Sequence, residues 1–272
     1  MIKDDPFFWF RENRLAIPGV KREHVFMHVS DTHIDVIDAN STLEDIDKFN
    51  YQVELWGKYK EKFAVEAGEP YGEPQKILNF VALDKQMALA EEMQPEALLL
   101  SGDNLDFMHP AGAKYLAGKL ADYSGKVICV PGNHEDAGCE GAWEPGVHAY
   151  DFEGFRIVAV DDSRKTVSRE DLDALKALCD EGVPIVILCH VPFSTPYCRD
   201  EMSRLISYFY FDENSEDENA REFIDLCVNN DAIKAVLCGH VHSYHAVEFA
   251  PGKPQIIGSQ GMAGAVHIFT VC

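Results

Sequence analysis

The feature that most constrains this chain is a recurrence. Short apolar runs rich in Val, Ile and Leu each stop at a cluster of small, acidic, amide or imidazole residues. Val25 to Val29 runs into Ser30-Asp31-Thr32-His33, and Ala97 to Leu100 into Ser101-Gly102-Asp103-Asn104. Val127 to Val130 precedes Pro131-Gly132-Asn133-His134-Glu135. Ile185 to Cys189 precedes His190-Val191-Pro192, and Ile233 to Cys238 precedes Gly239-His240-Val241-His242. Continuous apolar runs of this length predict strands buried on both faces.

Helical patterns separate several of these runs. Lys76 to Met93 is one, stopped by Pro95. Ala111 to Tyr123 is a second, with Gly125 just beyond it. Ser168 reads as an N-cap before an acid-rich first turn, opening a helix to about Asp180. Glu216 to Asn229 is a fourth. His148 to Phe152 and Phe155 to Asp161 flank Glu153-Gly154 as a hairpin. Tyr244 to Phe249, Gln255 to Ile257 and Ala265 to Val271 read as closing strands. The alternation predicts a layered α/β fold with mixed sheets. No linker-like stretch divides the 272 residues, so one domain is expected over residues 1–272. Two segments interrupt the alternation as insertions, at about 35–74 and 194–215. Each follows the C-terminal end of a strand, the edge where open α/β sheets bind ligands.

Because every polar cluster follows a strand, loops at one sheet edge can gather them. The gathered side chains would be Asp31, His33, Asp103, Asn133, His190, His240 and His242. Hard oxygen and imidazole nitrogen suit two divalent ions such as Mn, Fe or Zn. No thiolate is among them, which argues against a structural zinc site. Singly the signals are weak, since Asp-x-His and Gly-Asp pairs arise by chance. Five clusters in order, each ending a strand, predict a metal centre.

The pattern Asp31-x-His33, Gly102-Asp103-x-x-Asp106, Gly132-Asn133-His134-Glu135, His190 and Gly239-His240-x-His242 resembles that of the calcineurin-like metallophosphoesterase superfamily. The resemblance spans about residues 24 to 242. It implies a four-layer α/β/β/α sandwich with two mixed β-sheets and a dinuclear site at the strand C-terminal edge. One ion would sit on Asp31, His33, Asp103 and His242, the other on Asp103, Asn133, His190 and His240, with Asp103 bridging. His134 would face the leaving group as a catalytic residue, and Asp106 would orient it or stabilise its charge. Phe107-Met108 follows Asp106 where Ser/Thr protein phosphatases carry Arg-Gly. Position 106 is Asp where purple acid phosphatases carry Tyr. Both departures point to the broad phosphoesterase and phosphodiesterase branch.

The chemistry also follows from physical principles. Two cations about 3.5–4 Å apart clamp the attacking and leaving sides of an in-line displacement and lower the pKa of a shared water. They neutralise phosphate oxygens as charge shifts. The expected activity is hydrolysis of a phosphomonoester or phosphodiester by a metal-bound hydroxide. A non-catalytic metal-binding scaffold and a nuclease of the same superfamily are the alternatives.

Charge bears on the partner. The net charge of −22 repels nucleic acid backbones and anionic membranes, so a small or medium-sized phosphate ester is expected. No apolar run of about 18 residues exists, which predicts no membrane span, and the N-terminus does not read as a secretory signal. Eight cysteines without a CxxC pair predict reduced, buried thiols and a cytoplasmic location.

The remaining residues have plainer readings. His24, His28, His109, His148, His245 and His267 are expected to be structural or surface groups, His109 least securely because it follows the Asp103 loop. Phe7 to Phe10 should dock on the core or on a second subunit, and Tyr208 to Phe211 should pack the second insertion onto the domain, with lining of a substrate pocket as the alternative. Asp161-Asp162 should end a strand in a turn.

Overall fold

A computed structural model describes residues 4–135, 139–205, 210–212 and 214–272. In chain order the elements are β1 (Trp9–Leu15), β2 (His24–Val29), α1 (Leu43–Ala67), α2 (Asn79–Met93), β3 (Ala97–Ser101), α3 (Pro110–Asp122) and β4 (Val127–Val130). There follow β5 (Val147–Phe152), β6 (Phe155–Val160), α4 (Arg169–Asp180), β7 (Ile185–Leu188), β8 (Phe193–Ser194), α5 (Arg199–Met202) and β9 (Phe211–Asp212). The chain closes with α6 (Glu218–Asn229), β10 (Ile233–Cys238), β11 (His245–Ala250), β12 (Lys253–Ile257) and β13 (Ala265–Val271).

Two mixed sheets form the centre. One has the order β1-β13-β2-β3-β4, the other β11-β12-β10-β7-β6-β5. Within the first, β2, β3 and β4 run parallel, and within the second β6, β7, β10 and β12 run parallel.

Side-chain alternation sorts these strands into three packed layers of contact. Phe26, Leu99, Ile157, Val186, Leu188, Ala235, Leu237 and Phe269 point between the sheets and form one core. The next residues along the same strands point outward. Met27, Leu98 and Leu100 meet Leu83, Leu89 and Leu116 of α2 and α3. Val158, Ile187 and Val236 meet Leu172 and Leu175 of α4 and Phe223 of α6. The result is the four-layer α/β/β/α sandwich that the resemblance implies.

Local chemistry sets the element ends. Ser168 caps α4 by accepting from the Asp171 N–H at 3.0 Å, and Asp217 caps α6 by accepting from Ala220 at 3.0 Å. The second helix begins at Asn79 rather than Lys76. A 3₁₀ turn at Glu73–Gln75 precedes it, Leu78 is extended, and the Asn79 amide is committed to a loop carbonyl. The strand β1 was not expected. Its centre, Arg11-Glu12-Asn13-Arg14, is polar because β1 is an edge strand pairing only with β13. Phe7 and Phe8, just before it, pack into the core against α2.

The segment read as a first insertion, at about 35–74, contains the 25-residue α1. A capping box opens it: Thr42 Oγ1 accepts from the Asp45 N–H, and the Asp45 carboxylate accepts from the Thr42 N–H. Gly68, at φ 67°, closes it. Its buried residues are Trp56, Lys60 and Ala64, a stripe at spacing i, i+4, i+8. In the second insertion Phe211 is buried against Phe193 and Phe223, so it packs the core. Tyr208 and Phe209 lie outside the described residues.

Candidate metal centre

Each parallel strand delivers its C-terminal loop to one edge. Asp31 and His33 follow β2, Asp103 and Asp106 follow β3, and Asn133 and His134 follow β4. From the other sheet, His190 follows β7, and His240 and His242 follow β10. The loops are laced together across the two sheets. The His240 N–H donates to both Asp31 carboxylate oxygens at 3.0 and 3.1 Å. His190 Nδ1 donates to the Ser101 carbonyl at 2.8 Å.

The backbone here is unusual. Seven non-glycine residues among those described have positive φ, and five of them are Asp31 (54°), His33 (41°), Asp103 (48°), His240 (75°) and His242 (57°). Such conformations are costly away from glycine and persist where surrounding structure holds them. The loops also approach each other too closely for side chains at two glycines. A Cβ on Gly239 would lie 1.6 Å from Ser30 Oγ, and one on Gly132 would lie 2.2 Å from the Asp103 backbone N.

Three sets of ligand-type atoms converge, each within 4.8 Å of one another: Asp31, His33, Asp103 and His242; Asp103, His190 and His240; and His33, Asp106 and His134. Asp103 Oδ2 stands at the junction, 3.6 Å from His33 Nε2, 3.4 Å from His190 Nε2 and 4.0 Å from His134 Nε2. Asn133 joins the second set through Oδ1, 3.1 Å from His190 Nε2. Asn133 is exposed, whereas Asp31, His33, Asp103 and His190 are fully buried.

The donor geometry suits cations. His190 Nδ1–H is fixed on Ser101, so in the neutral ring the Nε2 lone pair faces Asn133 Oδ1 and Asp103 Oδ2. The Nε2 lone pair and the two oxygens then point at a common place, which a shared proton or a cation suits. In the other half His33 Nε2 and His242 Nε2 face each other at 3.0 Å, with Asp31 Oδ1 3.3 Å from the latter. Without a cation the protons take the strain. Burial alone would push the His190 imidazole down, but the Asp103 carboxylate outweighs it and holds the group up at about 10. Burial raises Asp103, yet the imidazoles of His190, His33 and His134 pull it well below the ordinary carboxylate range. Burial pushes His240 down to about 3.

His134 stands apart, with 32% of its side chain exposed. Its Nδ1 donates to the Asp106 carbonyl at 2.7 Å and lies 3.3 Å from Asp106 Oδ1. Burial opposes its charge, but Asp106 and Asp103 raise it to about 9. Asp106 Oδ1 also lies 3.5 Å from His33 Nδ1, an electrostatic contact without a formed hydrogen bond.

Several supporting residues carried no assigned role in the sequence. Glu135 accepts the N–H groups of Leu105 and Gly132 at 2.6 Å each, tying the β3 loop to the β4 loop. Asp162, in the turn after β6, accepts the N–H groups of His190 and Val191 at 2.7 and 3.0 Å. Asn79 donates to the His33 carbonyl at 2.8 Å. Glu135 adjoins the Gly-Asn-His motif, which was a usable signal. Nothing in the sequence linked Asp162 or Asn79 to distant loops.

The other histidines have structural partners. His28 bonds Ser101 Oγ, His24 bonds Glu96, and His267 accepts the Ser259 N–H. His109 accepts from Ala111 at the start of α3, and His148 and His245 bond Pro145 and Ser243.

A sequence model described as calcineurin-like phosphoesterase matches residues 24–244. No curated protein sequence matches the chain. Among solved structures it is similar to a dimetal phosphatase from Danio rerio, at 12% identity and TM-score 0.55, covering 88% of each chain. A 5'-nucleotidase from Candida albicans matches at 13% identity and TM-score 0.40, with 88% of this chain spanning 46% of that one. A Vps29 from Entamoeba histolytica complexed with zinc matches at 10% identity and TM-score 0.33, over 89% and 76% of the two chains. The Danio rerio match, at 12% identity, speaks to fold alone, whereas the sequence match covers most of the chain, from His24 to just beyond His242. The chain therefore belongs to the calcineurin-like phosphoesterase family.

Proposed function

We propose that the protein hydrolyses a small or medium-sized phosphomonoester or phosphodiester using two divalent cations, Mn, Fe or Zn. The observation that carries this reading is the confrontation of acceptors around Asp103 Oδ2, with His190 Nε2 and Asn133 Oδ1 on one side and His33, His242 and Asp31 on the other. Asp31, His33, Asp103 and His242 would hold one ion, and Asp103, Asn133, His190 and His240 the second. Ions there would supply Lewis acidity, lowering the pKa of water and neutralising phosphoryl oxygens.

The chain's own groups do the rest. His134 keeps its Nδ1 proton on the Asp106 carbonyl, which leaves Nε2 on the side of Asp103 to give a proton to the departing oxygen. Asp106 fixes that ring and favours its charged form. Asp162 and Glu135 hold the His190 and Asp103 loops in register. A groove of about 610 Å³ runs between α1 and β11, but Glu66 and Glu201 line it together with Arg204 and none of the metal-type residues does, so the small-substrate reading rests on the net charge of −22. Eight free cysteines, seven of them buried, support a cytoplasmic location.

The test is turnover of chromogenic phosphate mono- and diesters after adding Mn²⁺. Asp103→Ala should abolish it, and His134→Ala should reduce kcat by about 10²–10⁴-fold with little change in bound metal. Full activity in either variant refutes the assignment. Two ions bound per chain without hydrolysis of any ester would instead favour a binding scaffold.

A further inference from the structure

The helix α1 belongs to the insertion between β2 and α2, outside every motif that supplies the metal-type residues. One of its side chains nevertheless enters the site. Trp56, 8% exposed, donates its indole Nε1–H to Asp106 Oδ1 at 2.9 Å. Its ring lies against the His33 imidazole, with centroids 4.1 Å apart and planes inclined by 31°. The His134 and His242 rings are also near, at 6.2 and 5.6 Å.

Asp106 Oδ1 is therefore a shared atom. It accepts from Trp56 and faces both His134 Nδ1 at 3.3 Å and His33 Nδ1 at 3.5 Å. The carboxylate could rotate toward either ring. The indole N–H is a neutral donor on a rigid ring buried against His33, and it sets the carboxylate's rotation without adding charge. The tilted indole ring, 4.1 Å away, restrains His33 at the same time.

We propose that Trp56 is a positioning residue for the Asp106–His134 pair, so that the insertion helix completes the leaving-group side of the site. This rests on the phosphoesterase reading above. Trp56 touches no reacting atom; it acts through Asp106 on the imidazole that protonates the leaving oxygen.

The consequence is selective. An ester with a good leaving group needs little protonation, whereas one with a poor leaving group depends on His134. In the Mn²⁺-loaded protein, Trp56→Phe keeps an aromatic ring beside His33 and removes the N–H. It should lower kcat on phenyl phosphate by about tenfold and on 2,4-dinitrophenyl phosphate by less than about threefold, with KM and metal content unchanged. Equal losses on both esters, or no loss on either, overturn the proposal.

A second readout needs no turnover. In the metal-free protein the Trp56 indole proton, identified by its disappearance from the NMR spectrum of Trp56→Phe, should exchange slowly and shift in Asp106→Asn. An indole resonance indifferent to Asp106→Asn overturns the proposal whatever the kinetics. If the unaltered protein hydrolyses no ester, the phosphoesterase reading itself fails and the catalytic role of Trp56 falls with it. The NMR result then still reports whether the contact exists.

Discussion

At the scale of single residues, protons and cations compete for the same lone pairs. His190 carries its extra proton up to about pH 10, because Asp103, then Asp31 and Asp162, outweigh the cost of burying the charge. A cation arriving between Nε2 and Asp103 must displace that proton. Between pH 6.5 and 8.5 the apparent affinity for Mn²⁺ should therefore rise about tenfold per pH unit for one proton released. Titration calorimetry in buffers of different protonation enthalpy measures both quantities. Affinity independent of pH over that range would show that His190 is not displaced. The glycines give a second prediction. Gly239→Ala forces a Cβ onto Ser30 Oγ and to 2.7 Å from Asp31 Oδ2, so metal uptake should be lost, seen by elemental analysis. Gly118→Ala in α3 meets nothing within 4 Å and should stabilise by about 0.5–1 kcal/mol in denaturant unfolding. The sequence displayed the identity and order of the metal-type residues, because each one ends an apolar run. It did not display their left-handed backbone, since nothing local marks Asp31 or His242 as needing positive φ.

Elements were legible in proportion to how strongly one physical signal dominated them. The parallel strands β2, β3, β4, β7 and β10 are buried on both faces, so composition alone located them within a residue. The helix α4 announced itself by Ser168 and its acidic first turn, whereas α6 was placed from Glu216 and in fact starts at Glu218, capped by Asp217. The edge strand β1 was missed because pairing with β13, not burial of its centre, makes it a strand. The helix α1 was seen only as a partly helical insertion, and its function depends on which face meets the site. That helix has few tertiary anchors, so its cap matters. Thr42→Ala removes the oxygen that accepts from the Asp45 N–H and should cost about 0.5–2 kcal/mol. The loss should appear as faster amide exchange in the first turns of α1 rather than across the sheets. Uniformly faster exchange throughout the protein would mean that α1 and the sandwich unfold as one unit.

For the whole molecule, the fold and the net charge of −22 pull in opposite directions. Self-repulsion of that size destabilises a compact state, and it is worst at low ionic strength, where the screening length is about 30 Å at 0.01 M against about 8 Å at 0.15 M. The metal centre concentrates the problem, with Asp31, Asp103 and Asp106 buried within one sheet edge. Two effects on the melting temperature then separate by concentration and by specificity. Raising NaCl from about 0.01 to 0.15 M should raise the Tm at neutral pH by screening the surface, with or without chelator. Micromolar Mn²⁺ should raise it again at fixed salt, by about 2.7 kcal/mol of stability per site at a hundredfold excess over Kd. That second increment should vanish on chelation and in Asp103→Ala, while the salt effect survives both. Equal responses to Mn²⁺ in Asp103→Ala and the unaltered protein would place the ions on the acidic surface instead of at the strand edge.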